Sequence, residues 1–199
     1  MKIICHRGHW INHSDQNSLE SIKRSFKFDG AEIDIRSLNG KLILSHDPIL
    51  AGRKYTSLED AFRLKTAKDF FWALNIKEDG LGPALLKHIK KYKIKNYMCF
   101  DLSFPEMVSF EKLRLKTFTR TGDREPEIQS KNLVFDCFKS RNFAASLRRV
   151  PSSSRVMVIS PELHAEKYLI GWKKLRQYSF KECYLCTDFP AEAKEYFRD

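Results

Sequence analysis

Residues 30–48 read GAEIDIRSLNGKLILSHDP, and this stretch decides how the chain folds. Its first part alternates apolar residues with Glu32 and Asp34, which project to the same face of a strand because they are two residues apart. Carboxylates on a buried face need a neutralising partner. One interpretation is a hard cation such as Mg²⁺ or Ca²⁺ between them. The other is that one carboxylate faces solvent or pairs with an arginine such as Arg36.

The second part of the stretch predicts a β-hairpin. Residues 38–40, Leu-Asn-Gly, are a strong turn signal and lead into a second apolar run, KLILSH (41–46). We predict a three-residue loop, with its glycine left-handed, which places His46 opposite Glu32. A two-residue turn would instead pair His46 with Ile33. The first register returns His46 to the level of the two carboxylates.

Similar strand-like segments recur along the whole chain. They are short, nearly continuous in apolarity and rich in aromatic and β-branched residues, as strands buried on both faces should be. They are predicted at KIIC (2–5), AEIDI (31–35), FWALNI (71–76), YMCFD (97–101), KTFTR (116–120), NLVFD (132–136), RVMVIS (155–160) and ECYLCTD (182–188). Helix-like stretches with apolar residues at three- and four-residue spacing lie between most of them.

This alternation predicts an α/β fold with parallel strands. Eight such strands indicate a (β/α)8 TIM barrel, here with a β-hairpin extension after the second strand. The alternative is an open doubly wound sheet, but no glycine-rich phosphate loop follows the first strand to favour it. The 199 residues, 42% of them hydrophobic, suffice for one core, so we predict a single domain over residues 1–199.

The amino-terminal sequence and the cysteines bear on the compartment. MKIICHRG runs straight into a strand and has no secretory-signal pattern, and no apolar window has the length of a transmembrane segment. Five cysteines without such a signal predict reduced thiols and a cytoplasmic location. Cys183 and Cys186 form a lone CxxC inside a predicted strand, where packing is the expected role.

The net charge of +11 is concentrated most densely in KHIKKYKIKN (87–96). This run is either a solvated face or a surface that attracts anionic substrates, acidic polymers or lipid headgroups. Composition alone does not choose between these interpretations.

Further polar residues follow the first and third barrel strands. CHRGHW places His6 and Arg7 directly after KIIC, and NIKEDG places Lys77 after FWALNI. Active sites of this fold lie at the carboxyl ends of the strands. A histidine there can transfer protons, and an arginine can clamp a phosphate with paired donors. A metal, fixed cations and an acid–base pair are what phosphodiester cleavage requires.

The motifs HRG, QNSLES, GAEIDI and LILSHDP, in this order and spacing, resemble those of the glycerophosphodiester phosphodiesterase family. The resemblance is close over residues 5–48 and looser through NIKEDGL, TFTR and the carboxyl-terminal TDFP. It implies a (β/α)8 barrel, in agreement with the strand count.

The resemblance also implies roles for individual residues. It implies a divalent cation, Mg²⁺ or Ca²⁺, as cofactor. The implied metal ligands are Glu32 and Asp34, the implied general acid and base are His6 and His46, and the implied phosphodiester-binding residues are Arg7 and Lys77.

The sequence departs from the family pattern at two further positions, 75 and 16. Asn75 stands where the family has a third acidic ligand, two residues before Lys77, and an amide oxygen brings no charge, so we expect weaker metal binding. Asp101 and Asp79 are candidates to compensate. Gln16 stands where the family has a glutamate, which leaves its role open.

A third departure concerns the length of one loop. The family usually inserts a sizeable cap after the His-Asp motif, whereas residues 47–56 alone separate His46 from the SLEDAF helix here. We therefore expect an open mouth that suits a substrate bulkier than glycerophosphocholine.

The sequence thus predicts an enzyme, a metal-dependent phosphoric diester hydrolase active in lipid metabolism that releases an alcohol and a phosphomonoester. The expected partner is a small-molecule phosphodiester, with no specific nucleic acid and no transmembrane segment; the oligomeric state is open. One alternative is a phospholipase-like lyase that forms a cyclic phosphate. Another is a non-catalytic barrel that binds anionic ligands, because the third acidic ligand is missing.

Overall fold

The computed structural model describes residues 1–64, 67–125 and 130–198. The packing of Cα atoms divides the chain into two compact units. The N-terminal unit is His6–Thr117, and the C-terminal unit is Phe118–Asp199 together with Met1–Cys5. The prediction of a single domain over residues 1–199 stays a prediction. Within the described ranges, every helix is too short or too polar to cross a bilayer.

Strands and short helices alternate in both units. The strands are β1 Lys2–Cys5, β2 Gly30–Leu38, β3 Lys41–Leu44, β4 Phe71–Ile76, β5 Tyr97–Phe100, β6 Thr119–Gly122, β7 Asn132–Asp136, β8 Arg155–Ile159 and β9 Glu182–Thr187. The α-helices are α1 Leu19–Arg24, α2 Leu58–Arg63, α3 Gly82–Lys91, α4 Phe104–Lys112, α5 Ser140–Leu147, α6 Tyr168–Leu175 and α7 Pro190–Tyr196. Single 3₁₀ turns occupy His13–Asp15, Ser25–Lys27 and Pro161–His164.

The sheet of the N-terminal unit is parallel apart from the hairpin strand. β4 pairs with β2 on one side and with β5 on the other, and β3 lies antiparallel on β2. Ile33, Ile35 and Leu74 belong to the apolar core that this sheet forms with its helices. Side chains alternate along a strand, so Glu32 and Asp34 point to the opposite face of the sheet.

The sheet of the C-terminal unit is entirely parallel, in the order β6, β7, β8, β9, β1. The parallel strands follow chain order from β2 through β4 to β5 and from β6 to β9, and the first strand, β1, lies beside the last, β9. This is the order of a (β/α)8 barrel, whereas a doubly wound sheet reverses its order at a switch point. The described residues contain the eight predicted parallel strands. The predicted strand at 116–120 is shifted to β6, because Thr117 instead makes an isolated bridge to Cys99.

The predicted hairpin register is wrong. Leu38 pairs with Lys41 and Ile35 with Leu44, so the turn contains two residues, Asn39 and Gly40, rather than three. Both have a positive φ, 50° and 75°. Such turns match the right-handed twist of the flanking strands, and Asn-Gly is the pair that adopts them most readily. The register therefore follows the two-residue alternative.

Glu182 of β9 makes ion pairs with the two neighbouring strands at their amino ends in the C-terminal unit. Its carboxylate accepts hydrogen bonds from Lys2 Nζ in β1, at 2.5 Å, and from Arg155 Nε in β8, at 2.7 Å. Burial alone would raise the pKa of Glu182, but hydrogen bonds from Lys2, Tyr184 and Arg155 outweigh it and hold the pKa at about 2.

We predict that Glu182→Gln lowers the free energy of unfolding at pH 7 by about 1 kcal/mol, the size typical of a partly exposed ion-pair cluster. The pKa of the folded state lies below the ordinary value of 4.5. The stabilisation is therefore complete above that value and is lost as the pH falls towards 2. Urea unfolding at pH 7 and pH 3 measures it. Glu20→Gln, which removes an exposed pair with Lys23, is the control and should change stability far less. An equal effect of the two variants on the free energy of unfolding would contradict the stabilising role of Glu182.

Candidate active site

Two fully buried carboxylates form the centre of the candidate site. Glu32 and Asp34 are 1% and 0% exposed, and both lie on the face of β2 that is turned away from the apolar core. Asp34 lies beside Asn75 of β4 in the sheet register. Neither carboxylate pairs with Arg36, whose Nη1 is 3.7 Å from Glu78 and whose guanidinium donates to the backbone carbonyl of His46.

Asp34 is held from three directions. Arg7 Nε lies 3.1 Å from Asp34 Oδ2, and Lys77 Nζ lies 3.3 Å from Asp34 Oδ1. The side-chain amide of Asn17 donates to Oδ2 at 2.8 Å, and Asn17 Oδ1 accepts from the Asp34 backbone N–H at 3.1 Å. These contacts fix both the charge and the orientation of the carboxylate.

Glu32 is less well compensated than Asp34. Its Oε2 accepts a hydrogen bond from the backbone N–H of Arg7 at 2.9 Å. Burial and the neighbouring charge of Asp34 raise the pKa of Glu32, and the charges of His6, Lys77 and Arg7 offset this only in part. A further positive charge at this position would therefore be favourable.

Three buried oxygen atoms at this centre have no hydrogen-bond donor among the described residues. They are Glu32 Oε1, Asp34 Oδ1 and Asn75 Oδ1, and for Asp34 Oδ1 the Lys77 ammonium is an ion-pair neighbour without hydrogen-bond geometry. Buried acceptors are normally satisfied, so each of these atoms needs an explanation. Carboxylate and amide oxygens are the donors that hard divalent cations prefer. These three residues therefore fit a Mg²⁺ or Ca²⁺ ion.

The donor set differs from that of a typical acidic metal centre. Among the described residues, no group of three or more His, Cys, Asp or Glu side chains is arranged to hold a metal ion. The amide of Asn75 takes the place of the third acid here.

The loop after β1 brings the positive charge to the carboxylates. Arg7 has a φ of 53° and Gly8 a φ of 79°. A Cβ at Gly8 would lie 2.8 Å from the backbone of Ser21, so the loop packs closely on α1. Gln16 Oε1 accepts from Arg7 Nη1 at 3.0 Å. Gln16 thus orients the Arg7 guanidinium. The role of Gln16, which the sequence left open, is therefore a contact at the site.

His6 and His46 occupy different surroundings. His6 follows β1 directly, is half-buried and is close enough to Glu32 for its charge to act on that carboxylate. His46 follows β3 with its side chain 43% exposed, and its Nδ1 lies 2.8 Å from Asp47 Oδ1. The ladder to β2 ends before it, and the Ser45 N–H bonds to the Asp34 carbonyl. His46 therefore does not lie opposite Glu32 as the three-residue loop predicted.

The two aspartates expected to compensate for Asn75 make other contacts. Asp101 Oδ2 lies 3.4 Å from Lys77 Nζ. Asp79 accepts from the hydroxyl of Ser103, the residue that caps α4. Asp101 thus shares the Lys77 ammonium with Asp34. Asp79 accepts a hydrogen bond at the amino end of α4.

Asn17 is the site residue that the sequence analysis missed. It lies within the quoted QNSLES motif, and its left-handed backbone (φ 59°) and its hydrogen bond from N–H to the Arg7 carbonyl turn its amide towards Asp34. Asparagine tolerates this conformation better than most residues. Its position next to Gln16, at a helix entry, was the available signal.

Comparison with known proteins finds no matching protein-family model and no matching curated protein by sequence. Solved structures do match over nearly the whole chain. A glycerophosphodiester phosphodiesterase from Thermotoga maritima is 17% identical with a TM-score of 0.72, covering 98% of each chain. One from Parabacteroides distasonis is 17% identical with a TM-score of 0.70, covering 98% of this chain and 95% of that one. A phosphodiesterase from Oleispira antarctica, solved with its product sn-glycerol-3-phosphate, is 13% identical with a TM-score of 0.69, covering 98% and 96%.

The chain has the glycerophosphodiester phosphodiesterase fold. The predicted (β/α)8 barrel is confirmed, and so is the resemblance to this family at the level of the fold. At these identities the likeness establishes the architecture. What the site does is argued from its own residues.

We predict that Asn17→Gly destabilises the protein by about 1–3 kcal/mol, because the buried Asp34 carboxylate and backbone N–H both lose a hydrogen bond. Glycine retains the positive φ, so backbone strain does not contribute. Asn39→Gly is the matched control, since Asn39 also has a positive φ but lies exposed in the hairpin turn. Urea unfolding measures both. A loss for Asn17→Gly no larger than that for Asn39→Gly would contradict the role of Asn17.

Proposed function

We propose that the protein is a metal-dependent phosphodiester hydrolase of the glycerophosphodiester phosphodiesterase type. The observation that carries this proposal is the buried Glu32–Asp34 pair with unsatisfied oxygens, adjacent to Arg7 and Lys77. The shared fold with phosphodiesterases, one of them with sn-glycerol-3-phosphate bound, supports the same substrate class.

Glu32, Asp34 and Asn75 are the residues we assign to a divalent cation, Mg²⁺ or Ca²⁺. When bound, such an ion would neutralise charge that develops on the phosphate oxygens. Arg7 and Lys77 are the residues we assign to the phosphodiester itself. Both side chains are anchored by Asp34, and Arg7 also by Gln16, so their donors are oriented before substrate arrives.

His6 and His46 are the residues we assign to proton transfer. If Asp47 accepts the Nδ1 proton of His46, the Nε2 atom becomes the nitrogen that exchanges a proton with the substrate. Hydrogen bonding to His46 lowers the pKa of Asp47, so the partner stays ionised. One histidine activates the nucleophile, and the other protonates the leaving alcohol.

The nucleophile distinguishes a hydrolase from a lyase. Attack by water gives an alcohol and a phosphomonoester, whereas attack by a neighbouring substrate hydroxyl gives a cyclic phosphate. Phosphorus NMR of the products separates the two. A cytoplasmic location and a role in lipid metabolism remain predictions from the sequence.

We predict that His6→Ala and His46→Ala each lower kcat by roughly 10²–10⁴-fold, the usual contribution of a general acid or base. The general acid is identified by comparing two substrates, because p-nitrophenolate leaves without protonation and an alkoxide does not. Replacing the general acid should slow cleavage of glycerophosphocholine far more than cleavage of bis(p-nitrophenyl) phosphate. His88→Ala, on α3, is the control. A wild type that cleaves no phosphodiester with Mg²⁺, Ca²⁺ or Mn²⁺, including diesters with alcohol groups bulkier than those of glycerophosphocholine, would refute the proposed activity.

We predict that Asn75→Asp raises the affinity for Ca²⁺ or Mg²⁺ by roughly tenfold, because a charged oxygen replaces a neutral one. Glu32→Ala should abolish detectable binding. Isothermal titration calorimetry of the metal-free protein measures both without recourse to turnover. Asn39→Asp adds the same charge in the exposed hairpin turn and should leave the affinity unchanged. Equal affinity of wild type and Asn75→Asp would remove Asn75 from the ligand set.

A further inference from the structure

A cavity separate from the candidate active site lies in the N-terminal unit, at the amino ends of β4 and β5. The cavity measures about 300 Å³. This is at the lower end of the range for small-molecule sites. It is at the opposite end of β4 from the candidate active site: Trp72 lines it, and Asn75 lies three residues further on, about 10 Å along a strand. The assigned phosphodiesterase residues do not line this cavity.

The inner wall of the cavity is aromatic and nearly fully buried, since Phe62, Phe70 and Trp72 are 4%, 5% and 2% exposed. The Phe62 and Phe70 rings pack edge-on against Trp72, with centroids 5.2 and 5.1 Å away, and Phe62 contacts Tyr92 at 6.3 Å. The hydroxyl of Tyr92 donates to Glu59 at 2.5 Å, which fixes that ring at the edge. Leu64, Tyr92 and Ile94 also line the cavity, and these half-buried side chains present the apolar surface that a ligand would meet.

The rim of the cavity is cationic. Lys68, Lys93 and Lys95 line it and are exposed, and within the described ranges their ammonium groups have no hydrogen-bond or ion-pair partner. The end of α3 produces this arrangement. Lys93 takes a φ of 53°, and the Ile94 N–H bonds back to the Ile89 carbonyl, so Lys93 and Lys95 flank an apolar residue that lines the cavity.

Glu59, which accepts the Tyr92 hydroxyl at the edge of the cavity, does not cancel this charge. Glu59 Oε1 accepts from Lys91 Nζ at 2.8 Å and from Arg63 Nη2 at 2.7 Å. Hydrogen bonds from Lys91 and Tyr92 lower the pKa of Glu59 to about 2. Glu59 is thus already matched by two cations, and the three lysines of the rim remain available for an anion from solution.

We propose that this cavity binds a small amphiphilic anion, with its apolar body against Leu64, Tyr92 and Ile94 and its terminal phosphate or carboxylate at Lys93 and Lys95. The occupant is a single molecule rather than a bilayer. The described large apolar side chains that are exposed in the N-terminal unit are Ile11, Leu50 and Phe104, and they do not line the cavity. Lys93 and Lys95, at the carboxyl end of the lysine run KHIKKYKIKN, thus have a binding role that is independent of the phosphodiesterase activity.

The test is calorimetric titration of the full chain with decyl phosphate below its micellar concentration. We expect saturable one-to-one binding, with decanol and inorganic phosphate each at least about tenfold weaker, since each supplies half of the recognition. A separate titration measures binding to vesicles of anionic phospholipid. Binding to the vesicles without binding to monomeric decyl phosphate would overturn the proposal in favour of a membrane contact.

Charge-matched variants locate the site. The double variant Lys93→Glu/Lys95→Glu should weaken decyl phosphate binding by roughly tenfold or more. The double variant Lys87→Glu/Lys90→Glu makes the same charge change on α3, outside the cavity, and should bind almost as wild type does. Ala67→Trp, which fills the cavity without a charge change, should also weaken binding. Equal losses in the two double variants, or no effect of Ala67→Trp, would refute the site.

Discussion

The burial of two carboxylates on one strand is the constraint on which the candidate site depends. Isolated ionised carboxylates are too costly to place in a protein interior, so the surrounding chain must supply positive charge and hydrogen bonds. Arg7, Lys77 and Asn17 do this for Asp34. For Glu32 the compensation is incomplete, and its raised pKa is the physical sign of that deficit. This deficit is the electrostatic basis of the cation site that we propose.

The parts that the sequence predicted are those set by local pattern. Side chains alternate along AEIDI, so the placement of Glu32 and Asp34 on one face of the strand follows from their spacing alone. The apolar runs FWALNI and NLVFD match β4 and β7 residue for residue, because buried parallel strands are apolar on both faces. Parallel pairing then brings Asn75 beside Asp34.

The parts that the sequence did not predict depend on backbone conformation over a few residues. Asn39 and Gly40 both adopt positive φ, which makes the turn one residue shorter than predicted. The register then no longer carries His46 to the level of Glu32. Asn17 was missed for a similar reason. Its amide reaches Asp34 through a left-handed backbone and tertiary packing, and neither has a periodicity that the sequence displays.

Asn75 changes the charge balance of the site as well as its donor chemistry. Arg7 and Lys77 both pair with Asp34, and Lys77 is shared with Asp101, so Glu32 is a buried carboxylate whose charge is only partly compensated. A third carboxylate would leave an unmatched buried charge and would make folding depend on a bound cation. An amide in that position adds no further charge, and in the cation site that we propose it would lower the electrostatic gain when a divalent ion binds. Weaker metal binding and a site that is stable without an ion are therefore two effects that we expect from the amide of Asn75.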